Sequence, residues 1–163
     1  PNYKSSGKIF TTNIIEADSV DGFAMLINKQ KFNDNNFFDE KFFLFLENDD
    51  LCKRTKTKGN KIYVVKNAFI DHKGFSSSTK IDKEELEHLR NWHWMWSKFY
   101  FNKKHFGFLK AFISVLPSFL SSIIKVLIFT LLFNKKKRKI YQFRFYGILN
   151  SIMGKNSWYR IKD

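Results

Sequence analysis

Four consecutive polar residues, Glu47-Asn48-Asp49-Asp50, follow an apolar run and precede a helical pattern in this 163-residue chain. A carboxylate at the carboxyl end of a strand faces the cleft of an α/β sheet, where it can act as a general base. A structural interpretation competes with this one. Asn is a favoured N-cap residue, and acids in a first turn stabilise the helix dipole. The residue types alone leave both interpretations open.

His72 is the second residue whose side chain could take part in chemistry. It ends a β-like run and precedes a Ser-rich loop, a position from which an imidazole can bind a metal ion or a phosphate. An isolated His is more often a surface or core residue. Cys52 is the only cysteine of the chain, which excludes an intrachain disulfide framework and a Cys-cluster zinc site.

The elements that must position these residues alternate in type, which is typical of part of an α/β sheet. The sequence predicts strands over 8–16, 22–28 and 42–46, a helix over 51–58, strands over 61–65 and 68–72, and a helix over 82–104. The Asn/Asp-rich stretch 32–40 is predicted to be a loop. No Gly-rich phosphate-binding loop is present in the sequence.

Charge divides the chain into two unlike halves. Residues 1–90 carry a net charge of +1, whereas residues 91–163 contain 14 Lys and Arg and a single acid, for a net charge of +13. A basic half of this kind attracts polyanions, either nucleic acid or an anionic membrane surface.

The segment 111–133 is apolar and long enough to span a bilayer. Four residues interrupt it with helical spacing and form one polar stripe: Ser114, Ser118, Ser121 and Lys125. Basic clusters flank both ends: Lys103 and Lys104 before it, and Lys135, Lys136, Lys137, Arg138 and Lys139 after it. Three interpretations stay open: a spanning helix, an in-plane helix or hairpin broken near Pro117, and a buried core helix.

The residues after the apolar segment have two interpretations. The basic run 134–139 would by itself be a solvated loop, and beside a lipid-facing helix it would bind an anionic leaflet. Residues 140–154 fit a further amphipathic helix that ends at Gly154. The aromatic residues of this region suit either a lipid headgroup zone or the stacking of nucleic acid bases.

Five segments, in order, resemble motifs of family 2 glycosyltransferases of the rhamnosyltransferase-like type. They are DGFAMLI at 21–27, FDEKFF at 38–43, ENDDLCKR at 47–54, AFIDHKG with two serines at 68–77, and the helix N…G at 91–107. The third segment is similar to the family's ED-x-DL-x-x-R motif. The resemblance covers about residues 15–107 and, more weakly, 140–160.

The resemblance implies a GT-A fold, with a mixed sheet, and inverting sugar transfer from a nucleotide sugar. The family's "ED" pair corresponds to Glu47 and Asn48, and an amide cannot accept a proton at neutral pH. The implied base is therefore Glu47, with Asp50 as the alternative. His72 corresponds to a histidine that helps to hold a divalent ion or the diphosphate.

Further residues of these motifs are implied to contact substrate. Gly22, Asp39, Glu40 and Asn48 would line the acceptor side, and Arg54 would face the diphosphate or pair with an acid. The family's nucleotide-binding strands and Asp-x-Asp metal motif are not found in this sequence. We therefore expect the chain to be the C-terminal part of a transferase, with a Mg or Mn ion held mainly by the N-terminal half.

This interpretation divides the chain into an acceptor and catalytic part, 1–107, and a basic, apolar, helical membrane-associating part, 108–163. The expected partners are a nucleotide-sugar donor, a glycan or lipid-linked acceptor of the cell envelope, and an anionic membrane surface. The expected location is the cytoplasmic face of the inner or plasma membrane, peripheral or with one apolar segment inserted. The alternative is a non-catalytic basic module that binds a membrane surface or nucleic acid. The ordered motifs at 21–77 count against nucleic acid.

Overall fold

A computed structural model describes residues 13–32, 37–71 and 82–161. The chain is mixed α/β and mostly helical. Its elements are β1 (Ile14–Ala17), a short 3-10 helix (Lys29–Lys31), α1 (Glu47–Thr57), β2 (Ile62–Val65), α2 (Lys83–Phe106), α3 (Phe108–Leu131) and α4 (Lys135–Ile152). Two compact units emerge. The described residues of unit 1 are 13–32, 37–40 and 47–71, and those of unit 2 are 41–46 and 82–161.

Unit 1 contains a small antiparallel sheet and one helix. Strands β1 and β2 pair with Ile14 opposite Val65 and Ala17 opposite Ile62. The helix α1 precedes β2 and ends at Gly59, whose φ of +76° favours glycine and whose N–H donates to the Lys56 carbonyl at 2.9 Å. The predictions of a helix over 51–58 and a strand over 61–65 are confirmed.

Three predicted strands are wrong, because these segments are irregular in the structure. Residues 22–28 begin with a turn, and residues 68–71 follow β2 as exposed, irregular chain. Residues 42–46 bend, and two of them, Phe45 and Leu46, have φ of +68° and +66°, which no strand accommodates. An apolar run alone does not distinguish a strand from a bent, partly buried segment. Residues 8–12 and His72 lie outside the described residues.

Unit 2 is built on three long helices. Trp92 lies against Gly147 and Trp96 against Ser151, so α2 and α4 run in the same direction. Helix α3 connects them along the chain and runs in the opposite direction. Helices α2 and α3 are joined at Gly107, which has a φ of +86°. Their shared core consists of Met95, Phe99, Ala111, Val115 and Ile148. The helix predicted over 82–104 is confirmed, and it packs with α3 and α4.

Two helices, α2 and α4, approach each other closely at Gly147. A Cβ placed on this residue would lie 2.3 Å from the carbonyl oxygen of Trp92, well inside van der Waals contact. Hydrogen bonds flank the contact on both sides. The Ser151 hydroxyl donates to the Trp96 carbonyl at 2.9 Å, and Arg144 Nε donates to Asn91 Oδ1 at 2.8 Å.

The chain after α4 folds back onto α2 through His93. The Tyr159 carbonyl lies 2.8 Å from Nε2 and can only accept, so Nε2 carries the proton. The Ser157 hydroxyl then donates to Nδ1 at 3.0 Å. Burial lowers the pKa of His93 to about 4; the bond to the Tyr159 carbonyl opposes this shift, and the charge of Arg160 adds to it. His93 is thus a neutral, fully hydrogen-bonded core residue.

Helices α3 and α4 differ from two of the sequence-based interpretations. Pro117 lies inside α3 and does not break it. The basic run is not a solvated loop, because α4 begins at Lys135 and the Asn134 side chain caps it by accepting from the Lys137 N–H at 3.0 Å. Helix α4 ends just before Gly154, as predicted.

We expect Gly147→Ala to destabilise unit 2 by about 2 kcal/mol, because the new methyl group would collide with backbone rather than with a flexible side chain. In an unconstrained helix the same substitution raises the free energy of unfolding by up to about 1 kcal/mol, so a decrease indicates the close contact with the Trp92 backbone. All four tryptophans lie in unit 2, and their fluorescence during urea unfolding measures the change. Lys136→Ala, at an exposed position of α4, is the control, and a stabilising Gly147→Ala would contradict the contact.

We expect the stability of unit 2 to fall as the pH is lowered from about 6.5 towards 4. The folded-state pKa of His93 lies below its unfolded value, so the unfolded state binds more protons in this window. The titration of His93 changes the free energy of unfolding by at most about 1.4 kcal/mol per pH unit. Burial also lowers the pKa of His88, which acts in the same direction. His93→Gln should flatten the dependence of the free energy of unfolding on pH, measured by tryptophan fluorescence. His105→Gln is the control. An unaltered pH dependence in His93→Gln would refute the assignment.

Candidate active site

The acidic cluster forms the first turn of α1. Glu47, Asp49 and Asp50 lie at its positive end, and Arg54 and Lys56 lie in its last turn. This distribution stabilises the helix dipole at both ends. Because α1 begins at Glu47, Asn48 is inside the first turn and is not the N-cap residue that the sequence suggested.

Asn48 joins α1 to the segment that follows β1. Its side-chain amide donates to the Val20 carbonyl at 2.9 Å. A Cβ on Gly22 would lie 3.2 Å from the Asn48 Cβ, so only a small residue lets the two segments approach this closely. The Ser19 hydroxyl donates to Asp49 Oδ1 at 2.7 Å. The structure thus brings together Gly22 and Asn48, two residues of separate sequence motifs.

Asp50 and Arg54 form an ion pair one helical turn apart. Arg54 Nε donates to Asp50 Oδ2 at 2.8 Å, and the Asp50 side chain is fully buried. The other end of the guanidinium donates to the Phe37 carbonyl. Arg54 therefore links Phe37, the residue directly before the FDEKFF segment, to α1 and neutralises Asp50. Of the two functions implied for Arg54, the structure has the pairing with an acid.

Glu47 differs from its neighbours, since one of its carboxylate oxygens, Oε2, is buried and has no hydrogen-bond partner among the described residues. A buried carboxylate oxygen without a donor is costly, and such groups are concentrated at functional sites. The chain also enters α1 through Phe45 and Leu46, two non-glycine residues in the left-handed region. Conformations of this kind persist where the surrounding structure imposes them, often next to active sites.

Two ion pairs lie around the small sheet. Lys56 of α1 pairs with Asp18, which follows β1, and Lys61, directly before β2, pairs with Glu16 of β1 at 3.3 Å. Both pairs are partly exposed, so each contributes little stability. The Lys56 pair places Asp18 beside the last turn of α1.

The remaining predicted site residues are not all placed together. Asp39 is half-buried and Glu40 exposed, in the segment that Arg54 attaches to α1. His72 lies outside the described residues. Within 13–32, 37–71 and 82–161, no group of three His, Cys, Asp or Glu side chains could hold a metal ion. The described residues therefore do not by themselves form the site that a Mg or Mn ion would require.

Sequence reasoning missed Ser19 and the Val20 carbonyl, which bind Asp49 and Asn48. A serine in a loop carries no signal in one sequence, and a carbonyl is common to every residue. The hydrogen-bonding of His93 was missed as well. The nearby tryptophans Trp92 and Trp96, which share one helical face, indicated only core packing or an interface.

Unit 2 contributes a different kind of surface. Helix α3 is long and apolar enough to cross a membrane by length and composition, and most of its apolar side chains are exposed. A shallow hollow of about 280 Å³ lies elsewhere in unit 2. Its lining is mostly aromatic and consists of Trp92, Phe143, Tyr146, Asn150, Trp158 and Tyr159. The aromatic residues near the C-terminus thus pack largely on one another.

Protein-family models, curated proteins and solved structures were compared with the chain, and none of them matches it. The geometry around α1 and the surface of α3 therefore carry the functional argument.

Proposed function

We propose that the chain is the acceptor and catalytic part of an inverting, family 2-like glycosyltransferase of GT-A fold. The observation that carries the proposal is the Glu47 carboxylate oxygen at the start of α1, which is buried without a hydrogen-bond partner among the described residues. The DGFAMLI and ENDDLCKR segments meet at this helix through Gly22 and Asn48, and Arg54 binds the Phe37 carbonyl directly before the FDEKFF segment. The acceptor would be a glycan, such as a lipid-linked one, in cell-envelope polysaccharide synthesis.

In this proposal Glu47 is the general base. Its carboxylate takes the proton of the acceptor hydroxyl, and the acceptor oxygen forms a bond to the anomeric carbon of the donor sugar. The bond from that carbon to the diphosphate breaks, and the nucleoside diphosphate leaves with its electron pair. One displacement inverts the anomeric centre. A base needs a free lone pair, which Glu47 Oε2 has.

The neighbours of Glu47 support its selection over Asp50. Asp50 is buried against Arg54, and using it as a base would discharge that ion pair. Asn48 is engaged by its amide nitrogen with the Val20 carbonyl. In the proposal Asn48 and Gly22 shape the acceptor side, and Asp39 and Glu40 extend it. The divalent ion implied by the resemblance stays an expectation, and the residues that hold it lie mainly outside those described.

The helical unit would bring this site to its acceptor. An apolar helix with exposed basic residues near both ends suits the cytoplasmic surface of an anionic membrane. A lipid-linked acceptor is confined to that surface, so membrane association raises its local concentration at the enzyme. Binding to RNA or DNA with a steep salt dependence, without sugar transfer, would favour the non-catalytic alternative.

We expect Glu47→Gln to lower turnover by roughly 10²–10⁴-fold, since the amide keeps the shape of the side chain and cannot accept the proton. The measurement is sugar transfer from a nucleotide-sugar donor to a lipid-linked acceptor by the full-length polypeptide. Glu85→Gln, the same change at an exposed position of α2, is the matched control. Turnover that survives in Glu47→Gln would remove Glu47 from the mechanism.

We expect Asp50→Asn to lower stability rather than turnover. It removes the ionic partner of Arg54 and should destabilise unit 1 by about 1–2 kcal/mol, a value reduced because Arg54 is partly exposed. Hydrogen exchange of the α1 amides measures the loss, and Asp71→Asn, at an exposed site, is the control. Wild-type protection combined with abolished turnover would instead make Asp50 the base.

A further inference from the structure

The polar and apolar faces of α3 are inverted relative to a helix of a water-soluble bundle. Exposed aliphatic side chains recur every three or four residues along its length: Leu109, Ile113, Leu120, Ile123, Ile124, Leu127, Ile128 and Leu131. We call this set the α3 apolar face. It continues past the helix end into Leu132 and Phe133, which are also exposed.

Most polar residues of α3 lie on the side that packs against the other helices, whereas Lys110 and Thr130 are exposed. Ser122 is buried, and Ser114, Ser118 and Lys125 are half-buried. The hydroxyls of Ser114 and Ser122 donate to carbonyls of α3 itself, and Lys125 Nζ lies 4.7 Å from the centre of the Tyr141 ring of α4. Ser114, Ser122 and Lys125 thus have contacts inside the unit, and the outer side of α3 is mainly aliphatic.

Cations lie at both ends of the α3 apolar face. Lys103, Lys104 and Lys110 are exposed at the corner between α2 and α3, and Lys135, Lys136 and Lys137 at the corner between α3 and α4. Helices that span a membrane usually have their excess of Lys and Arg on one side. Basic corners at both ends instead place both ends of α3 at the same anionic surface.

The packing of α3 also argues against a spanning arrangement. Helices α2 and α4 contact α3 on its inner side, so α3 could cross a bilayer only with them. They would carry Lys98, Arg144 and His93 into the hydrocarbon, where ionisable and polar groups are costly. Lying flat, α3 buries its apolar face and leaves these groups in water.

We infer that the α3 apolar face lies in the plane of an anionic lipid leaflet, with its axis parallel to the surface and the basic corners at the headgroups. This rests on the part of the proposed function that places the chain at a membrane, and it is independent of the sugar-transfer chemistry. The occupant of the face is lipid acyl chain, and the basic corners select anionic headgroups.

Depth measurements along α3 test the orientation. In the full chain with Cys52→Ala, Ile113, Leu120 and Leu127 are replaced one at a time by cysteine and labelled with a nitroxide. The depth of each label in phosphatidylglycerol-containing vesicles is measured from its collisions with oxygen and with a water-soluble paramagnetic relaxation agent. An in-plane helix gives equal, shallow depths of about 5–10 Å at all three sites. A label at Ile70, an exposed residue of unit 1, is the control for a water-accessible site.

A spanning helix gives a different profile. Neighbouring labels seven residues apart would then differ in depth by about 10 Å, because the helix rises 1.5 Å per residue along its axis. That result overturns the in-plane arrangement and leaves the membrane part of the proposed function standing.

Vesicle flotation tests the face itself. The double variant Leu120→Gln, Leu127→Gln should bind phosphatidylglycerol-containing vesicles at least about 100-fold more weakly, while Ile70→Gln binds like the wild type. Binding should be weaker to phosphatidylcholine vesicles and should fall with added salt. Tryptophan fluorescence confirms that each variant is folded.

Other outcomes overturn the inference. If the wild type does not bind vesicles but forms dimers that the double variant abolishes, the α3 apolar face is covered by a second copy of the chain. If the wild type is monomeric and binds neither vesicle, no lipid covers the face. Vesicle binding that persists in Glu47→Gln separates this surface from the transferase site.

Discussion

The contact between α2 and α4 at Gly147 determines the geometry of the helical unit. Without a side chain at this position, the α4 backbone reaches the Trp92 carbonyl, and the flanking hydrogen bonds from Ser151 and Arg144 can form. A larger residue would separate the helices along their length, because packed interiors do not absorb even one methylene without cost. Helix α3 and the C-terminal segment both pack on the pair that this contact creates.

Several polar side chains of the helical unit have partners inside it, while its exterior is apolar along α3. Ser114, Ser122 and Lys125 contact groups within the unit, and His93 is held neutral between Ser157 and Tyr159. Polar groups that are paired internally are not needed at the surface of α3. The same sequence composition that would make an ordinary core helix thus leaves an apolar face exposed, because the direction of each stripe is set by packing.

The acidic turn of α1 follows the same logic with one exception. Ser19, the Val20 carbonyl and Arg54 engage Asp49, Asn48 and Asp50, so most of the cluster is structural. Among the described residues, Glu47 keeps a buried oxygen without a hydrogen-bond partner. The structural interpretation of the cluster thus holds for Asn48, Asp49 and Asp50, and the proposed catalytic function concerns Glu47 alone.

The sequence by itself determined the helices α1 and α2, the strand β2, the apolar character of α3 and the division of charge, because periodicity and glycine stops are local properties. It predicted strands at 22–28 and 42–46 wrongly, since an apolar run does not reveal whether a neighbouring strand exists to pair with it. Only the tertiary structure decided that Asp50 pairs with Arg54, that Glu47 Oε2 has no partner among the described residues, and that the polar stripe of α3 is half-buried. Each of these depends on groups distant in sequence or on the direction in which a helix packs, which no local pattern specifies.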